Sequence, residues 1–154
     1  MSLVQGFMAS KLERHSEELA EKYGVPENEL SEIVESFLKD TYGPAVELAE
    51  AISSKELPVL LFIGRKDCAI CKRSLPELEC FLQRHADIEL FKQDYTQPAG
   101  LLYHLIQHEE TGMLPLIAII FRGHIRMLFT GVCVDREIYE RYYRDVNPVC
   151  SQNI

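Results

Sequence analysis

The chain has 154 residues, of which 47% are hydrophobic and 26% are charged, and its formal net charge is −8. That length supports one domain with a full hydrophobic core. An acidic chain without a basic stripe is not expected to bind nucleic acid, because phosphate binding depends on Lys and Arg. The longest apolar run, residues 114–121, is far shorter than the roughly 20 residues of a membrane-spanning helix, so we expect no membrane partner.

The cysteine content indicates a reducing compartment. Five cysteines in a chain of this length form an odd and sparse set, unlike the disulfide framework of a small secreted domain. The first residues also lack the basic segment that opens a secretory signal. We therefore expect a cytoplasmic location.

The first third of the chain is predicted to be helical, and most of the net negative charge lies there. Helices are expected over residues 10–23, with Gly24 as the stop, from residue 29 onward, and over residues 44–53. We divide the chain into an N-terminal helical extension (1–43), a main domain (44–147) and a C-terminal tail (148–154).

The extension carries an apolar stripe that needs a partner surface. Its members recur at the spacing of one helix face: Leu30, Ile33, Val34, Phe37 and Leu38. We expect this stripe to be buried against the main domain or against a second copy of the chain. A homodimer formed through the N-terminal helices is therefore one expectation.

The elements of the main domain alternate between strands and helices. Strands are predicted over residues 59–63, 88–92, 116–121 and 125–130, the last two as a hairpin around Gly123. Helices are predicted from Cys68 onward and over residues 99–108 and 135–144. This order predicts an α/β fold in which a central mixed sheet of about four strands is flanked by helices, with the N-terminal helices added.

The motif Cys68-Ala69-Ile70-Cys71 lies where a strand and a loop lead into a helix. A helix start stabilises a thiolate through its unpaired N–H groups and its dipole. Cys68 would thus attack a disulfide, and Cys71, one turn later, would resolve the mixed disulfide.

Zinc binding is the alternative reading of the two cysteines. A zinc site commonly needs four ligands, and His104 and His108 are the only spaced pair that would complete a Cys2His2 set. We favour redox chemistry, because the motif follows a strand and opens a helix. No metal and no cofactor are expected.

Several residues beyond the motif make the chain resemble the thioredoxin family over residues 45–147. The matching positions follow the family's order and spacing: Lys72, Pro76, Asp94, Pro98, Met113, Leu114, Pro115, Gly123 and Gly131. The resemblance implies a thioredoxin-like fold for residues 44–147, with Pro115 in the family's cis-proline loop facing Cys68 and Cys71.

The resemblance also implies a function and partners. It implies a thiol–disulfide oxidoreductase whose partners are protein disulfides and a reductase. The catalytic residues would be Cys68 and Cys71, and the substrate would be bound by Leu114, Pro115, Ala69 and Ile70.

Three positions depart from the family's pattern. Asp67 replaces the Trp before the first cysteine, Ala69-Ile70 replaces Gly-Pro, and Phe62 stands where the family has a buried acid that assists proton transfer. Without that acid Cys71 lacks a general base. An adaptor or redox-sensing protein with little turnover is therefore the alternative function.

Overall fold

The structure is a computed structural model that describes residues 2–24, 27–107 and 113–146. Its elements in chain order are α1 (Ser2–Tyr23), α2 (Glu27–Ser53), β1 (Val59–Gly64), α3 (Ala69–Arg84), β2 (Glu89–Asp94), a 3-10 turn (Pro98–Leu101), α4 (Leu102–Ile106), β3 (Leu116–Phe121), β4 (His124–Thr130) and α5 (Arg136–Val146). None of the described helices combines the length and the apolar composition that a membrane crossing requires.

The four strands form one mixed sheet in the order β2-β1-β3-β4. β1 pairs with β2 in parallel and with β3 antiparallel, and β3 pairs antiparallel with β4. β1, which is buried along its whole length, therefore lies in the interior of the sheet, as its continuous apolar sequence indicates. The predicted α/β fold with a mixed four-stranded sheet is confirmed.

Alternate residues of β1 face two separate cores. Leu61 and Ile63 belong to the core under α2 and α4, whereas Leu60 and Phe62 belong to the core under α3 and α5. This alternation follows from the two-residue period of a strand. Because Cys71 belongs to the second core, the functional motif is anchored on the α3 and α5 side of the sheet.

The helix before the sheet is longer than its sequence predicts. The segments expected on either side of Pro44 form the single helix α2, and Pro44 lies inside it. A proline costs an internal helix one hydrogen bond. Its flanking apolar residues are buried on both sides, Leu38 before it and Ala45 and Ala49 after it, so tertiary packing outweighs the intrinsic preference of Pro44.

The chain by itself buries only part of the apolar stripe of α2, and burial of the remaining members against a second copy stays a prediction. Val34 and Leu38 are 5% and 2% exposed, but Ile33 and Phe37 are 66% and 62% exposed. The rest of the chain thus covers only one side of the apolar stripe and leaves the other side exposed. The side chain of Leu30 lies outside the described residues.

Other element boundaries differ by a few residues from the predicted ones. α1 begins at Ser2, well before residue 10, and Gly24 ends it with φ of 64° and an N–H that donates to the carbonyl O of Ala20 at 2.9 Å. The helix predicted over residues 99–108 is a 3-10 turn followed by the short α4. His108 lies outside the described residues.

Candidate functional site

Cys68 caps the helix that carries the motif. Its backbone is extended, and its Sγ accepts a hydrogen bond from the backbone N–H of Cys71 at 3.1 Å. The two cysteines form a disulfide, with Cα atoms 5.2 Å apart. A negative charge on the Cys68 sulfur would therefore face a backbone N–H at the positive end of α3.

The two sulfurs differ in their access to solvent. Cys68 is half-buried at the start of α3, whereas Cys71 is 4% exposed and packs into the core under α3 and α5. Ala69 between them is exposed and Ile70 is half-buried. An external sulfur can thus reach Cys68 more readily than Cys71.

The loop before β3 meets the motif. The Leu114–Pro115 peptide bond is cis, and the carbonyl O of Leu114 lies 3.7 Å from Sγ of Cys68. Leu114 is half-buried and Pro115 is buried. The structure therefore brings Cys68, Cys71 and Leu114 together across 46 residues of sequence.

Two residues that the sequence did not single out as site residues hold this loop. The Oη of Tyr103, on α4, donates a hydrogen bond to the carbonyl O of Met113 at 3.0 Å. The N–H of Gly131 donates to the carbonyl O of Pro115 at 3.0 Å. Gly131 has φ of 73°, and a Cβ on it would lie 2.7 Å from Cβ of Met113. Gly131 matched the family spacing, but nothing in the pattern of Tyr103 indicated its role.

Gly64, at the end of β1, is a further site residue that sequence reasoning missed. A Cβ at this position would lie 2.8 Å from Cε1 of Phe62 and 3.2 Å from Sγ of Cys71. The absent side chain thus makes room for the buried sulfur and the ring beside it. A glycine at the end of a strand is a signal of such close approach.

The charges next to the motif are partly neutralised within the loop. Asp67, which precedes Cys68, accepts a hydrogen bond from Nε of Arg65 at 2.5 Å. Arg65 therefore offsets the negative charge that Asp67 brings to the site.

Asp94, at the end of β2, is a second acid near the motif. Hydrogen bonds from the hydroxyl and backbone N–H of Thr96 lower the pKa of Asp94, with a smaller contribution from the charge of Lys66.

A cleft of about 550 Å³ opens behind the motif. Phe62 and Cys71 line it, together with the start of α3 and the end of β2. Phe62 is 2% exposed, so the position where the resemblance implies an acid is occupied by a buried aromatic ring. The cleft has no carboxylate at that position.

The zinc alternative gains no geometric support from the described residues. His104 lies on α4, where its Nε2 is 2.7 Å from Oη of Tyr95, and His108 lies outside the described ranges. Within residues 2–24, 27–107 and 113–146, no three His, Cys, Asp or Glu side chains are grouped to hold a metal ion.

Two further cysteines of the described ranges are free. Cys80 is half-buried on α3, and Cys133 is exposed, with Sγ 3.6 Å from the carbonyl O of Arg73. Cys150 lies outside the described residues. Because the Cys133 thiol is free and exposed, experiments on the motif must control for it.

Comparisons with solved structures place this fold. Fasciola hepatica thioredoxin is similar over 67% of this chain and 94% of its own, at 18% identity and a TM-score of 0.53. Mitochondrial thioredoxin 3 from Saccharomyces cerevisiae, in its oxidized form, is similar over 65% and 88%, at 17% identity and a TM-score of 0.51. Trxlp from Edwardsiella tarda EIB202 is similar over 64% and 93%, at 21% identity and a TM-score of 0.50.

These likenesses define the architecture. The chain has a divergent thioredoxin-like fold, as its sequence predicted. No model of a known protein family matches the chain, and no curated protein matches it either. The Cys68–Cys71 pair, joined at the start of α3, supports a redox function of the thiol–disulfide kind.

Proposed function

We propose that this protein is a thiol–disulfide oxidoreductase that acts on protein disulfides, with Cys68 as the nucleophile and Cys71 as the resolving thiol. One observation carries the proposal: the two sulfurs are within bonding distance at a helix start, and only Cys68 is more than marginally exposed. Leu114 and Pro115, beside Cys68, would bind the substrate chain together with Ala69 and Ile70.

The proposed reaction transfers two electrons from the dithiol to the substrate. The Cys68 thiolate attacks one substrate sulfur, the substrate S–S bond breaks, and the departing substrate thiolate takes up a proton. Cys71 then loses its proton and attacks Sγ of Cys68. The Cys68–Cys71 disulfide forms, and the second substrate thiol leaves. A reductase would return two electrons to the pair in a reducing compartment, for which we propose the cytoplasm.

Deprotonation of Cys71 takes place without a carboxylate at position 62 in this proposal. Phe62 occupies the position where the resemblance implies that acid, and Cys71 lines the cleft that opens to solvent. Solvent reached through the cleft would therefore accept the proton. Because a positioned base typically accelerates proton transfer by about 10²-fold or more, we expect the resolving step to limit turnover.

Insulin reduction with dithiothreitol as the electron donor tests the proposed activity. The wild-type chain is expected to accelerate the reaction, because Cys68 exchanges with the insulin disulfides. In Cys68→Ser the catalysed rate of insulin reduction is expected to fall by about 10²-fold or more, whereas Cys133→Ser retains the wild-type rate. Equal rates for wild-type protein and Cys68→Ser would refute the proposal.

A thioredoxin-fold adaptor or redox sensor with little turnover is the second candidate. It is favoured by Phe62 beside Cys71 and by the exposed side chains of Ile33 and Phe37, which offer an apolar contact surface. Such a protein would retain its partners after full reduction of the disulfide. Partners released by reduction would instead support exchange chemistry.

A further inference from the structure

The cleft behind the disulfide arises where α3 leaves the edge of the sheet uncovered. β2 is an edge strand, and Lys92 on it is paired in register with Phe62 of β1. Neighbouring residues of a parallel pair share one face of the sheet, so Lys92 lies on the same side as α3. The first turns of α3 close the opposite wall with Lys72 and Leu75.

The rim of this cleft is positively charged in an otherwise acidic protein. Four of its lining residues are basic, namely Arg65, Lys66, Lys72 and Lys92, and one is acidic, Asp94. The pKa of Asp94 is lowered, so it remains ionised at neutral pH. The lining residues therefore carry an excess of three positive charges, or two once Arg65 is set against its partner Asp67, which does not line the cleft, whereas the whole chain carries −8.

The three lysines of the rim are the basic side chains available to a ligand. Arg65 contacts Asp67, and Lys66 acts on Asp94 through space. Of the ion pairs among the described residues, none includes Lys72 or Lys92. Both of these lysines are exposed, so their ammonium groups are free to move onto an anion in the cleft.

The floor of the cleft is apolar. Leu75 is half-buried and lines it, and Phe62 and Cys71 lie beneath it, only 2% and 4% exposed. An apolar floor with a few convergent polar groups, in a volume of about 550 Å³, is the usual form of a small-molecule site. A simple inorganic anion would leave that floor without a partner.

We propose that this cleft is a binding site for a small organic anion that has an apolar or aromatic part. The apolar part lies on Leu75 and on the alkyl stems of the lysines, above the buried Phe62, and the carboxylate, sulfonate or phosphate group meets Lys66, Lys72 and Lys92. The site is distinct from the face of Cys68 that meets Leu114. It does not require the dithiol to turn over, so it stands or falls separately from the proposed oxidoreductase activity.

A matched pair of fluorescent probes tests the site in the oxidised full chain. Anilinonaphthalene sulfonate has the proposed chemistry, an aromatic body with one negative group. Phenylnaphthylamine is its parent without the sulfonate. We expect the sulfonate to bind more tightly than the parent, and we expect added salt to weaken only the sulfonate, since screening acts on its charge.

Charge variants locate the binding. Replacing Lys66, Lys72 and Lys92 together by Gln is expected to weaken binding of the sulfonate about tenfold, since exposed charge pairs each contribute modestly. The control replaces Lys39, Arg84 and Arg126 by Gln, which changes the net charge equally at positions that do not line the cleft. This control is expected to leave the affinity within about twofold.

The exposed apolar face of α2 is the competing location for an aromatic probe. Phe37→Ser removes the largest exposed side chain of this face and is expected to leave binding of the sulfonate unchanged. Three results would each overturn the proposal. The two triple variants could lose affinity for the sulfonate equally, Phe37→Ser could lose affinity for it, or the uncharged parent could bind the wild-type chain as tightly as the sulfonate does.

Discussion

Helices α2 and α3 both carry apolar residues at helical spacing, but they use them differently. On α3, Cys71, Leu78 and Phe81 are each at most 4% exposed. On α2, the apolar residues after Pro44 enter the core, whereas Ile33 and Phe37 before it point to solvent. The spacing of apolar residues therefore indicates a helix in both cases, but it does not indicate how much of the helix is covered.

The difference follows from what each helix packs against. α3 lies over the sheet and against α5, and Phe81 stacks on Tyr139 with ring centroids 5.2 Å apart. The second half of α2 lies on the other face of the sheet, and its first half extends beyond it toward α1. The functional motif is thus built on the fully packed helix, and the unpaired apolar surface is on the extended one.

A matched pair of phenylalanine substitutions gives the largest expected contrast. Phe81→Ala is expected to lower the free energy of unfolding by about 3–5 kcal/mol, because it empties a fully buried site. Phe37→Ala is expected to change it by less than about 0.5 kcal/mol, because that ring is already in water. Urea unfolding of both variants measures the difference.

Equal destabilisation by the two substitutions would contradict the comparison. It would mean that Phe37 is covered, for example by a second copy of the chain. Sedimentation at several protein concentrations distinguishes that case. A homodimer through the N-terminal helices, the alternative to an uncovered Phe37, would dissociate in Phe37→Ser and stay intact in Lys39→Gln.

Gly64→Ala examines how tightly the site is packed. The new Cβ would press on the ring of Phe62 and the sulfur of Cys71, so we expect a loss of about 1–3 kcal/mol in the free energy of unfolding. Gly43→Ala is the control, because a Cβ at Gly43 meets nothing within 4 Å. If Gly64→Ala is as stable as Gly43→Ala, the close packing around Cys71 is refuted.

Tyr103→Phe removes the hydroxyl that donates to the carbonyl O of Met113. We expect a loss of about 1 kcal/mol in the free energy of unfolding and a raised KM for insulin with little change in kcat, because the loop proposed to bind substrate is less firmly held. Tyr142→Phe, on α5, is the control. A fall in kcat with an unchanged KM would contradict a role confined to the loop.

The smallest expected effect is a pH dependence at the contact between α3 and α5. Hydrogen bonds from the side chain and backbone N–H of Arg136 hold the pKa of Glu77 below its ordinary value of 4.5. The ionised carboxylate thus stabilises the fold above that value, and the contribution is lost as pH falls through the lowered pKa. Glu77→Gln should be slightly less stable than wild type at pH 7, and the gap should narrow as the pH falls below 4.5.

Thermal melts across this pH range measure the effect, with Glu79→Gln as the control, since Glu79 forms no ion pair among the described residues. A stability gap for Glu77→Gln that persists unchanged at pH 3 would show that the Arg136 contact does not depend on charge.

Much of the fold was predictable from the sequence because its signals are local. The apolar run of β1, the hairpin around Gly123 and the helix that follows Cys68 are each contained within a few residues. The continuity of α2 through Pro44 was not predictable, because it depends on burial of Leu38 and Ala45 by distant elements. The exposure of Ile33 and Phe37 depends in the same way on where the sheet ends.

The candidate site likewise combines residues that local sequence signals predict with residues that only the fold brings together. Cys68 and Cys71 are three residues apart in sequence, so their spacing was sufficient to predict the pair. Tyr103 reaches the loop only through the fold, and no periodicity marks it. The basic rim of the cleft combines residues of three segments, around Lys66, Lys72 and Lys92, and its charge is visible only after β2 and α3 are placed together.

Trapping of mixed disulfides tests the proposed division of roles between Cys68 and Cys71 most directly. Variants of the reduced chain, all carrying Cys133→Ser, are mixed with insulin and analysed by mass spectrometry without reductant. Cys71→Ser is expected to accumulate a covalent complex through Cys68, because the resolving thiol is missing, and Cys68→Ser is expected to form none. A complex through Cys71 in Cys68→Ser at a similar rate, or no complex in Cys71→Ser, would contradict the account.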